Sequence, residues 1–546
     1  METDKLDNGS KRQTHTHMYT VPVPQKVGIF GSAVDITSSY VDIRFSLSDK
    51  ASISTLRPQI IACICTAAFH LTAGITLGFS AILIPQLEAP DSEIKVNKED
   101  ISWIASVIPL VVPVGAVFTG YILDRIGRTN TIKLAAVPYI IGWICIATAH
   151  NFTFLIIGRL LTGISSVMGT SPAIVYITEV ARADLRGTLL CLGPSLASLG
   201  LVMVYTMGAF LHWRMTSWIS IACCILPLLL MYLLSPESPV WLVSRGKTEE
   251  ALKSLTYFHR RDKKLKAGLA EQKLEELKKE HNRKQSQGNQ KGSSFRRNLR
   301  AFLRPTGYKP ILLLTTIFIF QQFSGIYITI FYAVTLLKSV GTSMDPNLSA
   351  IVFGIVRLIT GLLTLILLNK FGRRPLFIVS STGMAIFIFI SGYYTKEITE
   401  GHMEKNIIPE LCVLLYVSVA SFGFMSIPWT MTAELFPIEI RGMAQSLMMA
   451  VANLIMFSIL KVYPFLDEML GGAYAVEWLF ASVSAASTVF IFLFLPETYN
   501  KELSEIQEYF KNNTVYIMRS KKSNDSEEFG EEMVHLKDTV QQLAKD

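Results

Sequence analysis

Charged residues recur in this chain at matched spacing. Glu179 precedes Arg186 by seven positions, and Glu434 precedes Arg441 by the same seven. Asp124-Arg125-Ile126-Gly127-Arg128 has a counterpart in Phe371-Gly372-Arg373-Arg374, and Pro236-Glu237 has one in Pro496-Glu497. The chemistry these residues can do is ion pairing. A nucleophile poised beside a base, a nucleotide-binding loop and a metal-ligand cluster are not visible, so neither an enzyme nor a bound cofactor or metal is expected. The seven cysteines lack zinc-finger spacing and fall in apolar blocks, where lipid-facing or packed thiols are expected. Partners of each repeated signal lie about 246 to 260 residues apart in a chain of 546, so the repeating unit is half the molecule.

The elements that carry these charges are apolar. Half of all residues are hydrophobic and 17% are charged, against roughly a quarter charged in an ordinary soluble domain. The charges crowd into both tails and one central stretch. Between them lie apolar blocks long enough to cross a bilayer, which takes about 20 residues each. They begin near Pro58, Ile101, Lys133, Phe152, Thr188, Trp218, Pro310, Leu348, Leu376, Ile408, Gly442 and Trp478. The expected fold is an all-α membrane protein with twelve spans in two six-helix halves. Its expected divisions are an N-terminal tail (1–56), a first half (57–243), a linker with short amphipathic helices (244–307), a second half (308–498) and a C-terminal tail (499–546), the tails disordered or loosely helical.

The 1–56 segment is polar, of mixed charge and too long for the basic leader of a signal peptide, so the first span is expected to insert by itself. With both termini cytosolic, Arg125, Arg128, Arg182, Arg186, Arg373, Arg374 and Arg441 all fall in short cytosolic loops, as the positive-inside rule requires. The net charge of +8 comes mainly from 245–309, directly before a span, which points to a membrane surface and not to nucleic acid. The sequon Asn347-Leu348-Ser349 falls in an outer loop and is a candidate for glycosylation, whereas those at Asn8, Asn512 and Asn524 fall in the tails.

Charges at membrane helix ends are costly, so their repetition suggests a role. Arg128, Glu179, Arg186 and Glu237 in the first half, and Arg373, Glu434, Arg441 and Glu497 in the second, are expected to form a cytosolic network that holds the halves together while the molecule opens outward. The competing explanation is ordinary helix capping.

On these motifs the chain resembles the sugar porter family of the major facilitator superfamily. The resemblance extends over 58–503 and includes Gly158-Arg159, Pro236-Glu237-Ser238-Pro239, Gln321-Gln322-Phe323-Ser324-Gly325-Ile326, Ile427-Pro428-Trp429, Ala433-Glu434-Leu435-Phe436-Pro437 and Pro496-Glu497-Thr498. Gly78-Phe79-Ser80 is similar to the facilitated trehalose and hexose transporters. The resemblance implies a central sugar site in which Gln321 and Gln322 hydrogen-bond hydroxyls, Trp429 faces the ring, Asn453 adds an amide and Tyr332 forms part of an outer gate. A glutamine amide suits a polyol because it both donates and accepts; the same pair also serves as glue between helices, and Trp429 also as plain packing. The chain departs from the pattern at Tyr327 and Arg357, where hexose facilitators carry asparagine and which stay among the candidate solute contacts, and at Pro194, Ser421 and Leu454, where they carry glutamine, glutamate and tryptophan. Arg357, a cation near mid-membrane, either lines the aqueous cavity or pairs with an acid. Proton-coupled relatives carry an acid in the first helix where this chain has Ser80. The function implied is facilitated diffusion of trehalose or a hexose across the cell membrane; the alternatives are transport of another solute, such as an organic anion, or solute sensing without transport.

Overall fold

A computed structural model of the protein describes residues 53–259, 268–288, 300–437, 439–499, 501, 503–513 and 516. Sequons Asn8 and Asn524 lie outside the described residues. Every regular element among the described residues is helical. Among the described residues, eleven helices are long and apolar enough to cross a membrane. In the first half they are Leu56–Glu88 (α1), Lys98–Ile126 (α2), Arg128–Ala147 (α3), Phe152–Val180 (α4), Leu185–Phe210 (α5) and Trp213–Leu234 (α6). The second half opens with α7, which crosses in three pieces, Pro305–Phe323, Ile328–Phe331 and Ala333–Ser339. It continues with Pro346–Lys370 (α8), Arg373–Thr399 (α9), Ile408–Glu434 (α10), Arg441–Leu470 (α11) and Ala473–Phe494 (α12).

Local signals set the helix ends. Asn97 and Asp100 form a reciprocal capping box at the start of α2, with backbone-to-side-chain bonds of 2.8 and 3.0 Å. Asp345 caps α8 ahead of Pro346 by accepting from the N–H groups of Asn347 and Leu348. The α2–α3 corner turns at Gly127, whose φ of 99° suits glycine. There Glu237 accepts from the backbone N–H groups of Arg128 (2.9 Å) and Thr129 (3.1 Å), placing an anion on the free donors that begin α3. A Cβ on Gly127 would come within 2.4 Å of that carboxylate. Glu497 repeats the arrangement on Arg373 and Arg374 at the start of α9.

The halves meet along α2 against α11, α5 against α8, and α1 against the later pieces of α7. The side chains that join them belong to the ends carrying Lys98, Phe210, Ser339 and Leu470, here called the distal end. Trp103 packs on Phe457, Tyr205 on Phe353, and Lys98 pairs with Glu468. Toward the opposite end, where the linker lies, Val117, Phe118 and Tyr121 of α2 are exposed. Among the described residues, these contacts close the molecule at the distal end.

Helices Pro239–Ser244, Thr248–His259 and Leu269–Gly288 follow α6. The first two dock on the first half: the Trp241 indole donates to the Asp124 carbonyl (3.0 Å), and Ser254 to the Glu237 carbonyl (2.7 Å). The C-terminal tail starts with a helix, Leu503–Asn512, that buries Ile506 and Phe510. It is anchored by Lys309 Nζ on the Asn513 carbonyl (2.9 Å) and by Tyr516 against the Arg374 guanidinium.

Candidate functional site

Two broken helices build the centre of the second half. α7 unwinds over 324–327, where Gly325 takes φ 86° and lies so close to Phe480 that a Cβ would approach its ring to 2.4 Å. α10 unwinds over 423–426 between Phe422 and Ile427. Backbone freed at membrane depth must find partners inside the protein, and polar side chains supply them. Gln321 Nε2 donates to the Phe424 carbonyl (2.6 Å), the Tyr416 hydroxyl to the Ser324 carbonyl (2.6 Å), and the Ser380 hydroxyl accepts from the Phe424 N–H (3.0 Å). Tyr205 reaches over from α5 of the first half and donates to the Ile330 carbonyl (2.9 Å).

This geometry divides the residues that the family pattern assigns to the solute. The Gln321 amide nitrogen is occupied by the α10 break, so it acts as glue between α7 and α10; its oxygen takes a bond from Gln322 Nε2 at 3.3 Å. Gln322 keeps a buried carbonyl oxygen with no partner. Trp429 opens the second piece of α10, rests on Phe318 with centroids 4.9 Å apart, and points its indole N–H toward the Tyr327 hydroxyl at 3.4 Å. Trp429 and Tyr327 are half-buried. Asn453 is turned onto its own helix, donating to the Met449 carbonyl (2.8 Å). Arg357 is half-buried on α8, donates to the Met425 sulfur (3.2 Å), leaves Nε without a partner and lies within electrostatic reach of Tyr205 and Tyr327. No carboxylate is among those partners. Tyr332 is fully buried nearer the distal end, bonded to the Leu460 carbonyl (3.1 Å) and packed at a tilt against Tyr463, with ring centroids 4.8 Å apart.

At the linker end the repeated charges form the same arrangement twice. Arg128 grips Glu179 through Nε and Nη2, the shortest contact being 2.7 Å, and Arg373 Nη2 meets Glu434 at 3.1 Å. Each arginine also donates to a carbonyl at the end of the preceding helix, Leu123 or Leu368. Arg186 and Arg441 each bond a carbonyl five residues earlier in the chain, Ala181 and Phe436. Both salt bridges therefore lie inside one half and not between halves. Glu237 and Glu497 serve helix N-termini, which is a capping role. At this end these carboxylates find their partners within their own half.

Arg159 is the group whose importance sequence reasoning missed beyond its place in a motif. It is fully buried on α4, donates to the carbonyls of Thr76 (2.7 Å) and Ile104 (3.4 Å) and to the Ser80 hydroxyl, and faces the Phe79 ring. All its bonding partners are neutral oxygens. Tyr205 and Tyr416 were also missed, since a tyrosine in an apolar span carries no local sign that its hydroxyl will meet a distant broken helix.

A cavity of about 1070 Å³ opens at the distal end, lined by Gln86, Glu93, Trp213, Lys338, Asn347 and Lys405 among others. It lies outside the closed contacts and away from the Gln322–Trp429 cluster, so it is a vestibule and not the central site. Asn347 sits on its wall in the first turn of α8, and Ser349 of the same sequon is buried.

Twelve crossings in two repeated halves, closed at one end and built around broken helices, are the architecture on which alternating-access transporters are built. A family model described as "Sugar (and other) transporter" matches residues 58–510. The chain belongs to this family of membrane transporters. Among curated proteins it is 31% identical over 455 residues to the facilitated trehalose transporter Tret1 of Apis mellifera ligustica, covering 83% of this chain and 88% of that one. It is 30% identical over 452 residues to the Tret1-2 homolog of Drosophila sechellia, covering 82% and 90%. Among solved structures it is similar to the inward-open xylose transporter XylE from E. coli, with TM-score 0.66, 24% identity and coverage of 82% and 98%. That likeness extends to the fold.

Proposed function

We propose that this protein carries trehalose or a hexose across the cell membrane by facilitated diffusion, with both termini and the linker end in the cytosol. The observation that carries the sugar assignment is the pair of broken helices, where Gln322 of α7 keeps an unpartnered carbonyl oxygen and the Trp429 indole of α10 points to the Tyr327 hydroxyl. An amide and a phenol match hydroxyl groups, and an indole face matches the C–H face of a pyranose. The facilitated trehalose transporters among its relatives favour a sugar over an organic anion. Arg357 then serves as a hydrogen-bond donor beside the cluster. The segments 57–243 and 308–498 rock about this site. With the linker end cytosolic, the geometry described above is the inward-facing state, and Asn347 is extracellular and open to a glycan attached before α8 packs Ser349 away.

The Arg159–Ser80 contact supports transport without a proton. An acid beside a buried arginine gives a titratable pair whose protonation can be tied to movement; a serine hydroxyl does not titrate. Purified protein in liposomes should take up labelled trehalose or glucose until the concentrations are equal, and a protonophore should leave both rate and end point unchanged. Accumulation above the outside concentration, abolished by the protonophore, overturns facilitated diffusion. Absence of saturable uptake for every neutral sugar tried overturns the substrate class.

A further inference from the structure

Among the described residues, a charge pair that bridges the two halves lies at the distal end. The first turn of α2 carries Lys98, Glu99 and Asp100, and the last turns of α11 carry Lys461, Asp467 and Glu468. Lys98 Nζ meets Glu468 at 2.6 Å and lies within electrostatic reach of Asp467. In the opposite sense, Lys461 of the second half lies within reach of Glu99 and Asp100 of the first. The Lys461 ammonium sits 4.1 Å above the centre of the Trp103 ring, has no hydrogen-bond acceptor, and is buried. Trp103 also packs on Phe457. Each half therefore offers a cation to the acids of the other, and the deeper cation is capped by an indole.

We propose that Lys461 on Trp103, reinforced by Lys98 on Glu468, is the clamp that closes the distal gate in this state. The two contacts differ in strength. Lys98 and Glu468 are 56% and 65% exposed, and an exposed ion pair is weakened by solvent and salt. Lys461 is desolvated against the ring, where a cation–π contact is strongest. The ring contact does most of the closing, and the outer pair sets the register of α2 against α11. When the distal end opens, α2 and α11 part there, and Lys461 regains water. The clamp rests on alternating access and not on the identity of the solute, so its test does not depend on a sugar being carried.

The test is a distance. Asp91 and Lys405 are exposed residues on opposite halves that line the distal vestibule. Spin labels at Asp91→Cys and Lys405→Cys, in full-length protein lacking the native cysteines and reconstituted in lipid, report opening by pulsed electron resonance. The parent protein should show mainly the short separation. Lys461→Met should raise the ratio of long to short by about tenfold. Lys98→Glu should raise it about two- to threefold, and Lys98→Glu combined with Glu468→Lys should return it to the parent value. Should Lys461→Met fail to fold, Trp103→Leu removes the other face of the same contact and should give the same shift. An unchanged distribution in Lys461→Met or Trp103→Leu, or a swapped pair no better than Lys98→Glu alone, overturns the clamp.

Discussion

Gln321 and Gln322 are adjacent and of one residue type, yet the structure assigns them different work. Gln321 ties the α7 segment to the open backbone of α10, whereas Gln322 holds an oxygen in reserve. Gln321→Leu strands the Phe424 carbonyl, and a buried acceptor left without a donor costs about 1–3 kcal/mol. That variant should melt at lower temperature in detergent. Gln322→Leu strands no backbone group and removes only the longer 3.3 Å bond to the Gln321 oxygen, so it should lower the melt less than Gln321→Leu while raising the concentration for half-maximal uptake by about tenfold, as loss of one hydrogen bond of about 1.4 kcal/mol implies. Thermal melts and uptake kinetics on the same two preparations check the division; equal melting losses in both would remove it.

At the scale of elements, the repeated acids fall into two kinds. Glu237 and Glu497 sit at the N-termini of α3 and α9, and Glu179 and Glu434 sit on arginine side chains. Removing a helix cap costs about 1 kcal/mol, and a favourable charge on the helix dipole adds up to about 1 kcal/mol more. Glu237→Ala should therefore lower the yield of folded protein and its melting temperature, while each surviving molecule transports at close to the parent rate. Uptake normalised to folded protein is the measurement, and a loss of turnover at normal yield would show that Glu237 acts in gating. The sequence spacing made the four acids look equivalent, because seven-residue offsets and Pro-Glu pairs do not say whether a carboxylate faces a guanidinium or a row of backbone N–H groups.

Over the whole molecule, gating is a balance between the two ends. The distal end is held closed by contacts between halves, and the linker end holds its salt bridges within halves. Glu434 binds both Arg373 and the Thr498 hydroxyl (2.5 Å). If the same carboxylate turns to the other half when the linker end shuts, weakening it penalises the outward-facing state. Glu434→Gln should then lower transport with surface expression intact, and a cysteine placed near the linker-end mouth should become about tenfold more reactive to an impermeant thiol reagent applied from that side, a change of about 1.4 kcal/mol in the balance of states. Reduced expression with normal turnover per molecule would mark Glu434 as a structural group instead.

The sequence alone determined the crossings, since a bilayer requires about 20 apolar residues and the chain spells out such runs; the helix starts read from it fall within five residues of those observed. It also determined the two-fold repeat, and with it the placing of Arg128, Glu179, Arg373 and Glu434 at one end. The linker helix Thr248–His259 was legible from its own spacing. The docked helix Leu503–Asn512 was not, because what orders it is burial of Ile506 and Phe510 against a distant part of the chain. The breaks in α7 and α10 required tertiary structure as well: a span can unwind at mid-depth only when partners such as Tyr205 and Tyr416 arrive from other helices to bond the freed carbonyls. Tertiary structure likewise decided that Gln321 is glue, that Arg159 rests on Ser80, and that Lys461 lies on Trp103 across 358 positions of sequence. Composition and spacing describe what one segment can do in lipid, but pairings between segments depend on how helices from opposite halves face one another, which no local pattern encodes.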